Sequence, residues 1–305
     1  MTIVLPDNYH VRSALQERRI LCIDYERALR EDIRALRIGI FNIMPQAEHY
    51  EYSLLFPLGR TVIQIEPVWL RLKNHHYNSS NKEHLRNFYI TFEQALEGGG
   101  LDGLIVTGAP VEEIPFEEVT YWNEVRDILN YARENTVSTL GICWGALALA
   151  KHLGMEKVRF EKKLFGVFET ENIDRKHRIT GEMDDIFWCP QSRHSGVADE
   201  TIDREARDGR IIPLAYSNET GYTIFESGDH RFLMHLGHPE YDVRRLVDEY
   251  ERDMRKGRED VEAPVNFDLA RPRNRWRAHS LEFFSQWVKY IHEEIAFQNK
   301  NKNKV

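Results

Sequence analysis

Ser138-Thr139-Leu140-Gly141-Ile142-Cys143-Trp144-Gly145-Ala146-Leu147-Ala148-Leu149-Ala150 decides the fold. It begins as a run of strand formers and turns into an Ala/Leu helical run after Gly145. Cys143 stands at the joint, flanked by Gly141 and Gly145. This is the layout of a nucleophile elbow, a sharp strand-to-helix turn that holds a reactive side chain exposed, with glycines where β-carbons would collide. A thiolate at a helix N-terminus gains from the amide N–H groups there, which predicts a lowered cysteine pKa. The backbone N–H of Trp144 is positioned to help hold an oxyanion. We read Cys143 as a nucleophile.

Outward from the elbow, the first half of the chain alternates apolar strands with helices. Leu36–Met44, Val62–Leu70 and Leu101–Thr107 read as strands, and Glu48–Leu58, Glu83–Leu96 and Tyr121–Asn135 as helices. Continuous apolar strands separated by helices predict an α/β fold, a mostly parallel sheet with helices on both faces. Ligands bind such sheets at the carboxyl ends of the strands. Gly108, Cys143 and the loop after Met44 lie at such ends. The second half predicts extra short strands at Leu164–Glu169, Ala215–Ser217, Tyr222–Glu226 and Phe232–Leu236, several of them antiparallel, and a charged helix at Tyr241–Met254. A closing C-terminal helix, Ser280–Phe297, carries Leu281, Phe284, Trp287, Val288 and Ile291 on one face. The expected organisation is a surface segment of loops and short helices at 1–35, one α/β domain at 36–297, and a disordered Lys/Asn tail at 298–305.

Composition narrows the function. The chain has 305 residues, 42% hydrophobic and 30% charged, with a formal net charge of −8. That balance offers no basic excess to neutralise phosphates, so no nucleic-acid partner is expected. No apolar run reaches the ~20 residues of a membrane helix, and no secretory signal is visible, which predicts a cytoplasmic protein without a membrane partner. Cys22, Cys143 and Cys189 do not suggest a disulfide framework. No His/Cys group has zinc-site spacing, so no metal is expected.

A cysteine nucleophile needs a base, and the base an orienting group. Gly237-His238-Pro239-Glu240 supplies both after a strand ending at Leu236: His238 to take the thiol proton, Glu240 to hold the imidazole in one tautomer.

An elbow of this kind with a distant His-Pro-Glu resembles the class I glutamine amidotransferase-like group, whose sheet is flavodoxin-like. A narrower resemblance, to the MetA-type homoserine O-acyltransferases, covers nearly the whole chain. It rests on Asp32–Gly39, Glu83-His84-Leu85, Asp102–Pro110, Ile142–Gly145, Lys163–Glu169, Ser192-Arg193-His194, Gly237–Asp242 and Trp276–His279. The resemblance implies ping-pong transfer, in which Cys143 takes an acyl group from acyl-CoA and L-homoserine then accepts it, as in methionine biosynthesis. It implies small-molecule substrates, acetyl-CoA as co-substrate and no other cofactor, and leaves a homodimer open.

Family contacts to the amino acid fall on Lys163, Ser192, Glu249 and Arg252. The chemistry agrees, since a guanidinium can bind a carboxylate bidentately. Glu249 lies three residues before Arg252 on one helical face, suited to an ammonium. The second residue after Ala109-Pro110 resembles the family's donor switch, glutamate accompanying acetyl and glycine succinyl; here it is Glu112. One position departs. Where the family carries a lysine after Asn-Leu-Met-Pro, this chain has Asn42-Ile43-Met44-Pro45 followed by Gln46-Ala47. That keeps L-serine as an alternative acceptor; succinyl-CoA stands separately as an alternative donor. An amidotransferase-like hydrolase would use the same triad but gives no reason for Lys163, Ser192 and Arg252.

Overall fold

The computed structural model describes residues 2–75, 77 and 79–302. Among the described residues, eleven strands form one mixed sheet in the order β2-β1-β4-β3-β5-β6-β11-β10-β9-β7-β8. They are β1 Thr2–Val4, β2 Leu21–Ile23, β3 Leu36–Phe41, β4 Ile65–Leu70, β5 Gly103–Val106, β6 Ser138–Ile142, β7 Lys157–Asn172, β8 Ile186–Val197, β9 Ile211–Ser217, β10 Gly221–Ser227 and β11 Phe232–His235. From β2 to β11 every pairing is parallel. From β11 to β8 every pairing is antiparallel. β11 therefore joins a parallel half to an antiparallel one.

Among the described residues there are ten α-helices: α1 Arg12–Glu17, α2 Tyr25–Ala28, α3 Ala47–Leu58, α4 Lys82–Phe88, α5 Phe92–Glu97, α6 Trp122–Asn135, α7 Trp144–His152, α8 Asp199–Arg207, α9 Val243–Arg255 and α10 Arg277–Lys302. Two large apolar clusters cover the sheet. One gathers α3 and α10 through Tyr50, Leu54, Phe284, Trp287 and Ile291. The other gathers α6 and α7 through Val125, Leu129, Trp144 and Leu147. This is the helix-on-both-faces layering that the apolar strands predict.

The structure corrects several element boundaries. The segment at 1–35 supplies two parallel strands besides its helices, β2 at the sheet edge and β1 between β2 and β4. The helix expected at Glu83–Leu96 is two helices. Ile90 makes a parallel bridge to Leu70, and Thr91 caps a new helix through a capping box with Gln94. The strand expected at Leu164–Glu169 is the middle of a long one: β7 has 16 residues and pairs with the 12-residue β8, while β9, β10 and β11 are short as expected. β8 and α8 were not visible in the sequence at all. α10 runs through Gln298 to Lys302, where a tail was expected; the polar Gln, Asn and Lys residues there carry no helix breaker, Gly or Pro, to end it. Residues 303–305 of that expected tail lie outside the described residues. No described helix is long and apolar enough to cross a membrane.

Candidate active site

Cys143 occupies the elbow between β6 and α7 with φ +53° and ψ −113°, a strained conformation for a non-glycine residue. The flanking glycines are sterically required. A β-carbon on Gly145 would lie 2.0 Å from the Val106 carbonyl oxygen, and one on Gly141 2.6 Å from the Ala146 nitrogen. The Cys143 N–H donates to the His235 carbonyl on β11 at 2.9 Å, fixing the elbow against the strand that carries the base. Trp144 is the first residue of α7, so its N–H belongs to the amides with no intrahelical acceptor. Its indole is buried against Phe116 and Tyr121.

His238 follows β11 and meets the thiol. Its Nδ1 lies 2.7 Å from Glu240 Oε1, leaving Nε2 for Cys143. Its ring stacks on Tyr241 at 3.9 Å, and its N–H donates to the Pro190 carbonyl. Glu240 Oε1 also accepts from the Tyr50 hydroxyl on α3. All three groups of the line are buried. Burial pushes the Cys143 thiol up, and His238 pulls against that rise. The lowered thiol pKa expected from the helix N-terminus is therefore not the direction found; desolvation outweighs it. For His238, burial alone would lower the pKa, but the Glu240 carboxylate and the Cys143 sulfur hold the imidazole well above its ordinary value. The pair is built to pass a proton from sulfur to Nε2 while Glu240 keeps Nδ1 protonated.

The line opens into a cleft of about 750 Å³. Its far wall is α9 with the middle of the β7–β8 hairpin. Glu249, 4% exposed, is the hub. Ser192 Oγ donates to its Oε2 and the Tyr241 hydroxyl to its Oε1 at 2.9 Å. Lys163 Nζ, Arg252 Nη1 and Arg245 Nε lie 3.7, 3.6 and 3.8 Å from it. Burial would raise the Glu249 pKa, but Lys163, Arg245 and Arg252 lower it to about 2. Lys163 Nζ also donates to Asp253 Oδ2 at 2.8 Å, and Arg252 Nε to Asp253 Oδ1 at 2.8 Å. Lys163, Ser192, Glu249 and Arg252 thus converge, although they come from three elements. The Arg252 side chain, 42% exposed, is the one of the four that reaches open solvent in the cleft.

Glu112 lines the same cleft, on the loop after β5. Its carbonyl is gripped by Lys157 Nζ at 2.6 Å and Ser195 Oγ at 2.8 Å. Its Oε2 is buried without a hydrogen-bond partner. Burial raises its pKa to about 7, against the lowering pull of the His194 N–H and of Lys163. Gln46, at the family-lysine position, also lines the cleft and starts α3 with φ +53°.

Sequence reasoning missed Tyr50, Tyr241, Arg245 and Asp253. Tyr241 and Asp253 adjoin residues already singled out, Glu240 and Arg252, and that adjacency was the available signal. Nothing marked Tyr50, which reaches Glu240 across 190 positions.

The homoserine O-succinyltransferase family model matches residues 2–297. The chain is 37% identical to a homoserine O-acetyltransferase of Bacillus licheniformis, covering 98% of this chain and 100% of that one. It is 39% identical to a homoserine O-acetyltransferase of Petrotoga mobilis, covering 99% and 98%. Among solved structures, a glutamine amidotransferase of Thermotoga maritima superposes with a TM-score of 0.56 at 13% identity, covering 85% of this chain and 99% of that one. That last likeness concerns the fold alone.

Proposed function

The chain belongs to the homoserine O-succinyltransferase family and is a homoserine O-acyltransferase; we propose that it moves an acetyl group from acetyl-CoA to the side-chain hydroxyl of L-homoserine, by a ping-pong route in methionine biosynthesis. The observation that carries this reading is the opening of the Cys143–His238–Glu240 line onto the same cleft as the Glu249–Arg252–Lys163 cluster. In the first half-reaction His238 takes the Cys143 proton and the sulfur attacks the thioester carbonyl. The Trp144 N–H stabilises the oxyanion. Collapse breaks the bond to the CoA sulfur, which leaves with the proton from His238. In the second half-reaction His238 removes the homoserine hydroxyl proton. The alkoxide attacks the acetyl-Cys143 carbonyl, collapse breaks the bond to the Cys143 sulfur, and that sulfur takes the proton back from His238.

The amino acid presents a carboxylate to Arg252 and an ammonium to Glu249, with Ser192 and Lys163 holding Glu249 in place. Glu112 disfavours a succinyl group by occupying its space and, when ionised, by repelling its terminal carboxylate. The same repulsion does not act on a methyl group, which supports acetyl over succinyl. Three free thiols accord with the reducing cytoplasm.

Incubation with acetyl-CoA and no acceptor should add one acetyl mass to the peptide carrying Cys143, and none in Cys143→Ala. Release of CoA is then measured for acetyl-CoA and succinyl-CoA, each with homoserine and with serine. Acetyl-CoA with homoserine should be fastest. Faster turnover with serine or with succinyl-CoA would overturn the acceptor or the donor respectively.

A further inference from the structure

Among the described residues, three groups bring at least one histidine together with carboxylates: Glu113–His194–Asp260, His177–Glu226–His230 and His10–Glu51–His84. Elementary coordination chemistry separates them. In the first, Arg258 already occupies the centre, donating to both Glu113 and Asp260. A guanidinium there leaves no room for a second cation. In the second, His177 Nδ1 faces the N–H groups of Ile179 and Thr180 at 3.3 and 3.4 Å. The Nε2 proton is thereby fixed on the side of Glu226. Ligation at Nε2 would turn an Nδ1–H against two amide N–H groups.

The third group carries neither obstacle. Glu51 lies on α3, fully buried, and its two oxygens face two imidazoles. His10 Nε2 is 2.8 Å from Oε2, and His84 Nε2 is 2.7 Å from Oε1. The rings meet edge to face with centroids 4.7 Å apart. Neither Nδ1 is hydrogen-bonded among the described residues, so both rings can move their proton to Nδ1 and present a lone pair at Nε2. The side chain of His10 is 37% exposed, which gives an ion a way in from solvent. The hydroxyls of Tyr9 and Tyr89 point at the same carboxylate.

We propose that His10, Glu51 and His84 form a binding site for a zinc-class transition-metal dication, separate from the catalytic cleft. Two imidazoles and one carboxylate are a three-ligand zinc set, with a fourth position for Tyr9 or water. Metal–ligand bonds of about 2.0–2.2 Å in tetrahedral geometry require nitrogen–oxygen separations of about 3.4 Å. With one Glu51 oxygen on the ion, the imidazole now paired to that oxygen must draw back by about 0.6–0.7 Å, and the other must swing over to the same ion. His10 stands on the loop between β1 and α1 and can yield that distance. The bound ion would tie this loop to α3 and α4.

The test uses the full chain carrying Cys143→Ala, so that the catalytic thiol cannot ligate metal. The chelator-stripped protein is titrated with Co²⁺, then with Zn²⁺. One equivalent of Co²⁺ should bind with the strong visible absorption of four-coordinate cobalt, and Zn²⁺ should displace it and raise Tm. His10→Gln and His84→Gln each keep a donor to Glu51 but remove an imidazole, and each should weaken binding at least about tenfold. Circular dichroism confirms that the variants fold; if His84→Gln does not, His10→Gln decides. A featureless Co²⁺ titration, or affinity unchanged in the folded variants, overturns the site.

Discussion

The two walls of the cleft are built on opposite plans. On one side, Cys143, His238 and Glu240 sit at the ends of neighbouring central strands in a single line, to which Tyr50 adds one further donor at Glu240. Their placement is a matter of backbone. On the other side, five charged side chains from α9 and β7 share a few ångströms, with Glu249 touched by three cations and two hydroxyls. Their placement is a matter of charge balance. The strand-end wall is shaped for moving a proton, the helix wall for matching a zwitterion. Damage to the first should stop chemistry, while damage to the second should change what is bound.

The largest expected effect lies on the strand-end wall. His238→Ala should lower kcat by about 10²–10⁴-fold for both half-reactions, read by pre-steady-state CoA release and by product formation. A normal rate of acyl-enzyme formation in that variant would erase the distinction between the walls. Next comes Arg252→Lys, which keeps the charge but loses the planar fork. It should raise the KM for homoserine about ten- to a hundredfold, the range of a charge-assisted hydrogen bond of about 1.5–3 kcal/mol. Acetyl-Cys143 should still form at its normal rate. Equal loss in both half-reactions would make the helix wall part of the catalytic line.

A smaller effect concerns Glu112. With a carboxyl raised to about 7, it is ionised above neutrality and neutral below it. The terminal carboxylate of a succinyl group stays charged across that range. Repulsion should therefore fade as pH drops, and the acetyl-to-succinyl preference should decline several-fold from pH 8 to pH 6 (roughly the span set by a one-unit titration on either side). Glu112→Gln should show the low-pH ratio throughout. A ratio that ignores pH in the wild type would leave only the steric part of the argument. The smallest effect is at the cleft mouth. Gln46→Lys should alter kcat/KM for homoserine by a few-fold, because a charged donor replaces a neutral one at a rim already rich in cations. No change would make the departure incidental.

The strand-end wall was legible because strand, glycine, nucleophile and helix follow each other without interruption, and because His238 and Glu240 share one short segment. The helix wall was legible only through resemblance. Arg252 and Glu249 on a charged helix look like any solvated face, and the burial of Glu249 against Lys163 and Ser192 depends on the β7–β8 hairpin. That strand went unseen because Cys189-Pro190-Gln191-Ser192-Arg193-His194 has polar groups where an alternating pattern would need apolar ones. It is nevertheless buried, since both of its faces are covered: Ser192 meets Glu249, and Arg193 donates to Gln191, Ser195 and Thr220. The break between α4 and α5 was hidden for a related reason. Tyr89 and Ile90 continue an apolar rhythm, yet Ile90 pairs with a strand. The cluster at Glu51 draws on positions 10, 51 and 84, too far apart for spacing to mark.

β11 has a consequence for the order in which the molecule can be built. Its four residues are inserted between β6 and β10, and it is the last strand in the chain. Until it arrives, a growing chain holds two incomplete sheets with open edges at β6 and β10, the kind of edge that pairs with a neighbour. The contacts that close them span about ninety residues from Thr139 to Phe232, a separation that slows folding. The same strand carries in His238 and Glu240. Synthesis thus leaves Cys143 without its base until the seam closes, and a chain truncated before Phe232 should be both unreactive toward thioesters and prone to associate through those edges.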